Sequence, residues 1–90
     1  MFSEVPIDVE KINPEDLDKE MMRIAIMAEF DAINMYEQMA NLTDDNDLKT
    51  ILLDIAREEK IHVAMFDTVL MEVDNEYLKV MADYSLARKG

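Results

Sequence analysis

One stripe in the second half of the chain constrains its fold more than any other feature. Leu48, Leu52, Ile55, Glu59, His62, Phe66, Val69 and Val73 follow one another at alternating steps of four and three residues. That spacing keeps side chains on one face of an α-helix. All are apolar except Glu59 and His62, which are neighbours in the stripe. Upstream, Met22, Ile26, Glu29, Ile33, Tyr36 and Ala40 repeat the pattern, with Glu29 as the one charged member. A carboxylate or imidazole left unpaired on such a face costs several kcal/mol, so both anomalies require a partner.

The rest of the composition agrees with helices. The chain has 90 residues, one glycine (Gly90) and two prolines (Pro6 and Pro14), which leaves few breaks for strands and turns. An all-α fold is expected. So short a chain buries a limited core on its own, which makes self-association an early expectation. The net charge of −12 disfavours nucleic acid and anionic membranes as partners and suits cations. With no cysteine, disulfides, iron–sulfur clusters and thiolate metal sites are excluded. No apolar run reaches the length of a membrane span, and the start Met1-Phe2-Ser3-Glu4-Val5 lacks the features of a signal peptide, so the cytoplasm is the expected compartment.

Residues 1–12 show no sustained period and read as an extended N-terminal arm, leaving 13–90 as the folded unit. Asn13-Pro14-Glu15-Asp16 combines a capping side chain, a first-turn proline and acids that complement the helix dipole. A first helix is expected from there to about Ala40. The Asn-, Asp- and Thr-rich stretch 41–47 should make a short link, and a second helix should run from about Leu48 to Val73. Asp74 can cap a shorter third helix, in which Tyr77, Leu78, Met81 and Tyr84 share a face and Arg88 and Lys89 end the last turn.

Two long helices joined by a short link form an antiparallel hairpin, so residues equidistant from the link lie at one depth. Twelve residues back from Asn41 is Glu29, and twelve forward from Asp47 is Glu59, each roughly 18 Å from the link at 1.5 Å per residue. Glu59-Lys60-Ile61-His62 adds an imidazole one turn on, directed at the same point. Glu29, Glu59 and His62 therefore form a candidate metal site. Mixed carboxylate and imidazole donors suit iron or manganese better than zinc, calcium or magnesium.

Three donors do not complete an octahedral ion. Ferritin-like di-iron proteins use a Glu from each of two helices and a Glu-x-x-His pair from each of two others, all pointing into a four-helix bundle. One copy of this chain supplies one of each. Two copies about a two-fold axis would complete the bundle and hold a metal pair at a homodimer interface.

The segments Met27-Ala28-Glu29-Phe30-Asp31-Ala32-Ile33-Asn34-Met35-Tyr36-Glu37-Gln38 and Arg57-Glu58-Glu59-Lys60-Ile61-His62-Val63-Ala64-Met65 resemble the encapsulated ferritins, half-size and rubrerythrin-related members of the ferritin-like superfamily. The resemblance covers roughly Met21 to Val69. It implies a ferroxidase whose di-iron centre forms on dimerisation, with dimers assembling into rings inside an encapsulin shell. It also implies that Glu29, Glu59 and His62 are the catalytic iron ligands, that Glu59 bridges, and that Tyr36 lies near the centre. Asp31 matches one of the acidic residues that guide iron inward in that family, and Ala28 stands in place of another. The C-terminal Ser85-Leu86-Ala87-Arg88-Lys89-Gly90 is not a clear shell-targeting peptide.

Several of these residues have a plainer reading. Tyr36 suits a core position as well as a role beside the ligands, and Glu58 suits a solvated face as well as a transient metal contact. Asp44, Asp45 and Asp47 lack the glycine and closing glutamate of an EF-hand. The nine methionines fit adaptable core and interface packing. The expected activity is oxidation of Fe(II) to Fe(III) by O₂ or peroxide for iron sequestration. A bundle this small encloses no storage cavity, so a separate container would be needed. Two other readings compete: a rubrerythrin-like peroxidase supplied with electrons from outside, and a non-enzymatic helical dimer stapled by metal.

Overall fold

The computed structural model describes Val5 and residues 8–89. It is all-α, an antiparallel pair of long helices followed by a shorter one. α1 spans Pro14–Leu42, α2 Asn46–Val73 and α3 Asn75–Lys89, with a 3-10 turn at Val9–Lys11 ahead of them. That turn lies in the stretch read as an extended arm and is closed by the Asp8 side chain, which accepts from the Glu10 N–H. Most of the arm before it, residues 1–4, 6 and 7, lies outside the described residues.

Local chemistry sets each boundary. The Asn13 side chain accepts from the Glu15 N–H and Pro14 opens α1, as the sequence predicts. α1 runs two residues past its expected end and α2 starts two residues early, shrinking the link to Thr43, Asp44 and Asp45. Capping explains the difference. The Thr43 N–H donates back to the Met39 carbonyl, the Thr43 hydroxyl accepts from the Asp45 N–H, and the Asp45 carboxylate accepts from the N–H groups of Asp47 and Leu48. The polar residues expected to compete with helix instead end one helix and begin the next.

Two cross-hairpin ion pairs show the antiparallel register. Lys60 Nζ lies 2.8 Å from Glu37 Oε2, and Arg23 Nη2 lies 3.0 Å from Asp74 Oδ2. Fourteen residues back along α1, from Glu37 to Arg23, correspond to fourteen forward from Lys60 to Asp74. Among the described residues, the buried apolar side chains are Ala32, Ile33 and Ala40 of α1 and Leu52, Ala56 and Leu70 of α2. α3 buries none of its residues.

The molecule measures 47 × 43 × 15 Å. Its thinnest dimension is little more than one helix diameter, about 10–12 Å. It is a single layer, and among the described residues no further helix covers its two broad faces. The α2 stripe is only partly covered within one chain, with Leu52 buried and other members open. Leu48 and Val69 are 44% and 40% exposed because their face of α2 turns out of the layer. No described helix is long and apolar enough to cross a membrane.

Candidate metal centre

The hairpin brings Glu29, Glu59 and His62 together as the spacing predicts. Glu29 lies thirteen residues before the end of α1 and Glu59 thirteen after the start of α2, so the equal depth survives the shift in both boundaries. One donor atom from each residue lies within 4.8 Å of the others. His62 Nδ1 stands 3.5 Å from Glu29 Oε2 and 3.7 Å from Glu59 Oε1, within Coulombic reach but too far for good hydrogen bonds. Donors bound to one first-row ion at about 2.1 Å lie about 3 to 4 Å apart, which matches this spacing.

Burial and charge leave the cluster unfinished. Glu29 Oε2 is buried without a hydrogen-bond partner, a costly condition for a carboxylate oxygen. The Glu59 carboxyl is held above its ordinary range, first by hydrogen bonding to Glu29 when one of the two holds a proton, then by burial and by the Glu29 charge; His62 pulls the other way. Two carboxylates converging on one point repel unless a proton or a cation lies between them. The His62 side chain is 48% exposed, so the cluster opens onto a broad face of the layer. An orphaned oxygen, a proton-retaining carboxyl and an imidazole facing both fit a metal ion.

The other candidates stand outside this group. Tyr36 is half-buried on α1, two turns beyond Glu29. Asp31 and Glu58 are exposed, and neither is among the clustered donors, because a step of one or two residues turns a side chain well around the helix.

A second polar cluster at the junction of α2 and α3 was only partly legible. The expected cap is present, with Asp74 Oδ1 accepting from the Tyr77 N–H. The carboxylate also holds Arg23, fifty-one residues earlier, and the Tyr77 hydroxyl donates to Asp67 Oδ1 at 2.6 Å. Hydrogen bonding from Tyr77 first, and the Arg23 guanidinium after it, hold Asp74 below the usual carboxylate range. Only the hairpin register could have predicted the pairing with Arg23.

The EncFtn-like family signature matches residues 4–86. The chain belongs to this family. EncFtn-like relatives agree with the fold: the crystal structure of an encapsulated ferritin domain from Pyrococcus furiosus superposes with a TM-score of 0.77 at 40% identity, covering 92% of this chain and 85% of that one. A ferritin-like-encapsulin shell fusion protein of Pyrococcus furiosus is 54% identical over 57 residues, 63% of this chain and 16% of the relative. The encapsulin nanocompartment cargo protein EncC of Myxococcus xanthus is 40% identical over 55 residues, 61% of this chain and 42% of the relative. The matches thus span less than half the length of either of these two longer relatives.

Proposed function

We propose that this chain oxidises Fe(II) to Fe(III) at a two-metal centre formed between two copies, with residues 13–90 as the assembling unit. Glu29, Glu59 and His62 of each copy would supply the ligands, with Glu59 as the bridging carboxylate that the resemblance implies. The observation that carries the reading is the unfinished donor set: three converging groups, one with an orphaned buried oxygen, on an uncovered and largely apolar face. A two-fold axis through that face doubles the set to four carboxylates and two imidazoles.

The chemistry follows from the donors. Carboxylates stabilise the higher charge of Fe(III), and two ions side by side deliver two electrons to O₂ or peroxide. Within the chain, Glu59 gives up the proton it retains when Fe(II) enters, and His62 stands toward both carboxylates. The apolar residues around them keep bulk water out once two faces meet. Manganese suits the same donors.

The names of the relatives support an encapsulin setting. A shell fusion protein and a nanocompartment cargo protein each carry a stretch similar to part of this chain, so we place the chain, as dimers or ring-like assemblies of dimers, inside an encapsulin compartment that receives the oxidised iron.

Anaerobic titration with Fe(II), followed by O₂, tests the reading, with absorbance and sedimentation recorded together. Expected are two irons bound per dimer, assembly on loading, and an Fe(III) absorbance after O₂ that Glu59→Ala abolishes. Assembly without oxidation would leave only a metal staple, and sustained peroxide turnover with catalytic iron would point to a peroxidase. A chain that neither binds nor assembles with Fe(II) would overturn the proposal.

A further inference from the structure

Nothing in the covalent chain requires a bend between α2 and α3. Residues 46–89 contain neither glycine nor proline, and Asp74 alone separates the two helices. Its N–H donates to the Leu70 carbonyl at 2.9 Å and its carbonyl accepts from the Leu78 N–H at 3.1 Å, the pairings it would make inside one helix. The departure lies mainly in one angle: ψ of Asp74 is 91°, about 130° from the helical value. Rotating it back would join α2 and α3 into a single rod of roughly 66 Å at 1.5 Å per residue. The molecule is only 47 Å in its longest dimension, so α3 turns well away from that line. Two helices side by side take up roughly 20 Å of the 43 Å second dimension, and the remainder matches the roughly 22 Å length of α3. α3 therefore stands close to perpendicular to the hairpin, within the layer.

Side-chain bonds at the root of α3 hold that turn. Asp74 Oδ1 accepts from the Tyr77 N–H, a capping bond that exists only while ψ of Asp74 is extended, and Arg23 of α1 holds Oδ2 of the same carboxylate at 3.0 Å. The Tyr77 hydroxyl donates to Asp67 at 2.6 Å. Ten residues along a straight helix span about 15 Å, beyond the joint reach of these two side chains, so this bond also belongs to the bend alone. Against them stand three backbone bonds that the bend forgoes, from the N–H groups of Asn75, Glu76 and Tyr77 to the carbonyls of Met71, Glu72 and Val73. Packing along α3 adds little, since it buries none of its residues. Two side-chain hydrogen bonds and an ion pair set against three backbone bonds are a near-even exchange.

We propose that Asp74 is the hinge of a two-state helix: a bent form latched by Asp74 and Tyr77, and a straight form in which α2 and α3 are continuous. The input is electrostatic, because whatever draws Arg23 from Asp74, or Tyr77 from Asp67, frees α3 to rejoin α2. Straightening carries Met81 away from the groove that it lines with Met27 and Phe30. Glu29, Glu59 and His62 stay in place, since the last of them lies twelve residues before the hinge. The switch does not rest on the metal reading.

The test is a distance within the full-length chain, measured with a chelator present. Because the chain lacks cysteine, Asp54→Cys and Ala87→Cys place spin labels at exposed positions of α2 and α3, and labelled chain is diluted into unlabelled chain so that only intrachain pairs count. Asp54 lies twenty residues before the hinge and Ala87 thirteen after it. Their separation is about 36 Å across a right-angled bend and about 50 Å along a straight helix. Pulsed dipolar spectroscopy should place the parent at the short distance. Asp74→Ala combined with Tyr77→Phe should raise the straight-to-bent ratio at least about tenfold, with helical circular dichroism equal to or above the parent's. Asp74→Asn keeps a capping side chain and should stay mostly bent. A double variant that keeps the short distance would overturn the proposal, because the bend is then set elsewhere. Distances that spread while helicity falls would overturn it as well, because α3 then melts instead of straightening.

Discussion

His62 Nδ1 on α2 stands 3.5 Å from Glu29 Oε2 on α1, across thirty-three residues of sequence. Glu29 Oε2 has no hydrogen-bond partner, and the imidazole reaches Glu59 only at 3.7 Å. The pair is held by the hairpin register and not by its own attraction.

Removing one of the three proposed donors should therefore test metal binding without unfolding the chain. Glu29→Gln, Glu59→Gln and His62→Ala are each expected to weaken Fe(II) or Mn(II) binding by more than the roughly 10–100-fold that loss of an outer-shell group costs. Anaerobic calorimetric titration measures this, and unchanged helical circular dichroism keeps the reading clean. Unaltered affinity in all three would place the metal elsewhere.

The raised Glu59 carboxyl gives a pH dependence with a definite sign. Between its ordinary and folded values, the folded chain keeps a proton that the unfolded chain has released. Stability of the metal-free protein is therefore full below the ordinary glutamate value and declines as pH rises through the folded one. Metal must displace that proton, so affinity rises over the same interval. Thermal melts against pH should show this slope for the parent and a flatter one for Glu59→Gln.

Tyr77→Phe deletes the 2.6 Å bond to Asp67. Folded stability should fall by about 0.5–1.5 kcal/mol in urea melts, with the loss of protection in hydrogen exchange concentrated in α3. Asp67 first, and burial after it, push the Tyr77 phenol above its ordinary 10.0. An absorbance titration of the parent should show one late-ionising tyrosine that this variant lacks. At the same junction Asp74 titrates low, so its contribution is present above the ordinary aspartate value and lost as pH falls through the folded one.

Asp45→Ala removes the side chain that accepts from two N–H groups at the start of α2. The expected cost is about 1 kcal/mol, read by urea denaturation. Metal affinity should not change, because Glu59 lies fourteen residues further along α2, roughly 21 Å away at 1.5 Å per residue.

Much of the site was legible because its geometry is local or symmetric. Glu59 and His62 share a face through helical spacing alone, and Glu29 joins them because a hairpin preserves distance from its link even when both ends shift by two residues. The Asp74 cap was legible for the same local reason. Arg23 was not, since nothing in its neighbourhood marks a partner fifty-one residues away. The exposure of Leu48, Val69 and His62 was also hidden. Periodicity shows that a face is apolar but not whether the same chain covers it.

The amino-acid order by itself determined three helices, the caps that open the first and third, and the depth at which two carboxylates and an imidazole meet, because backbone hydrogen bonding and a 3.6-residue period are short-range rules. Only the tertiary arrangement decided that the layer is one helix thick, that Glu29 keeps an orphaned oxygen, and that α3 stands away from the hairpin with its apolar side chains bare. These depend on which surfaces find a neighbour, and that is a property of the packed chain as a whole and of no segment within it.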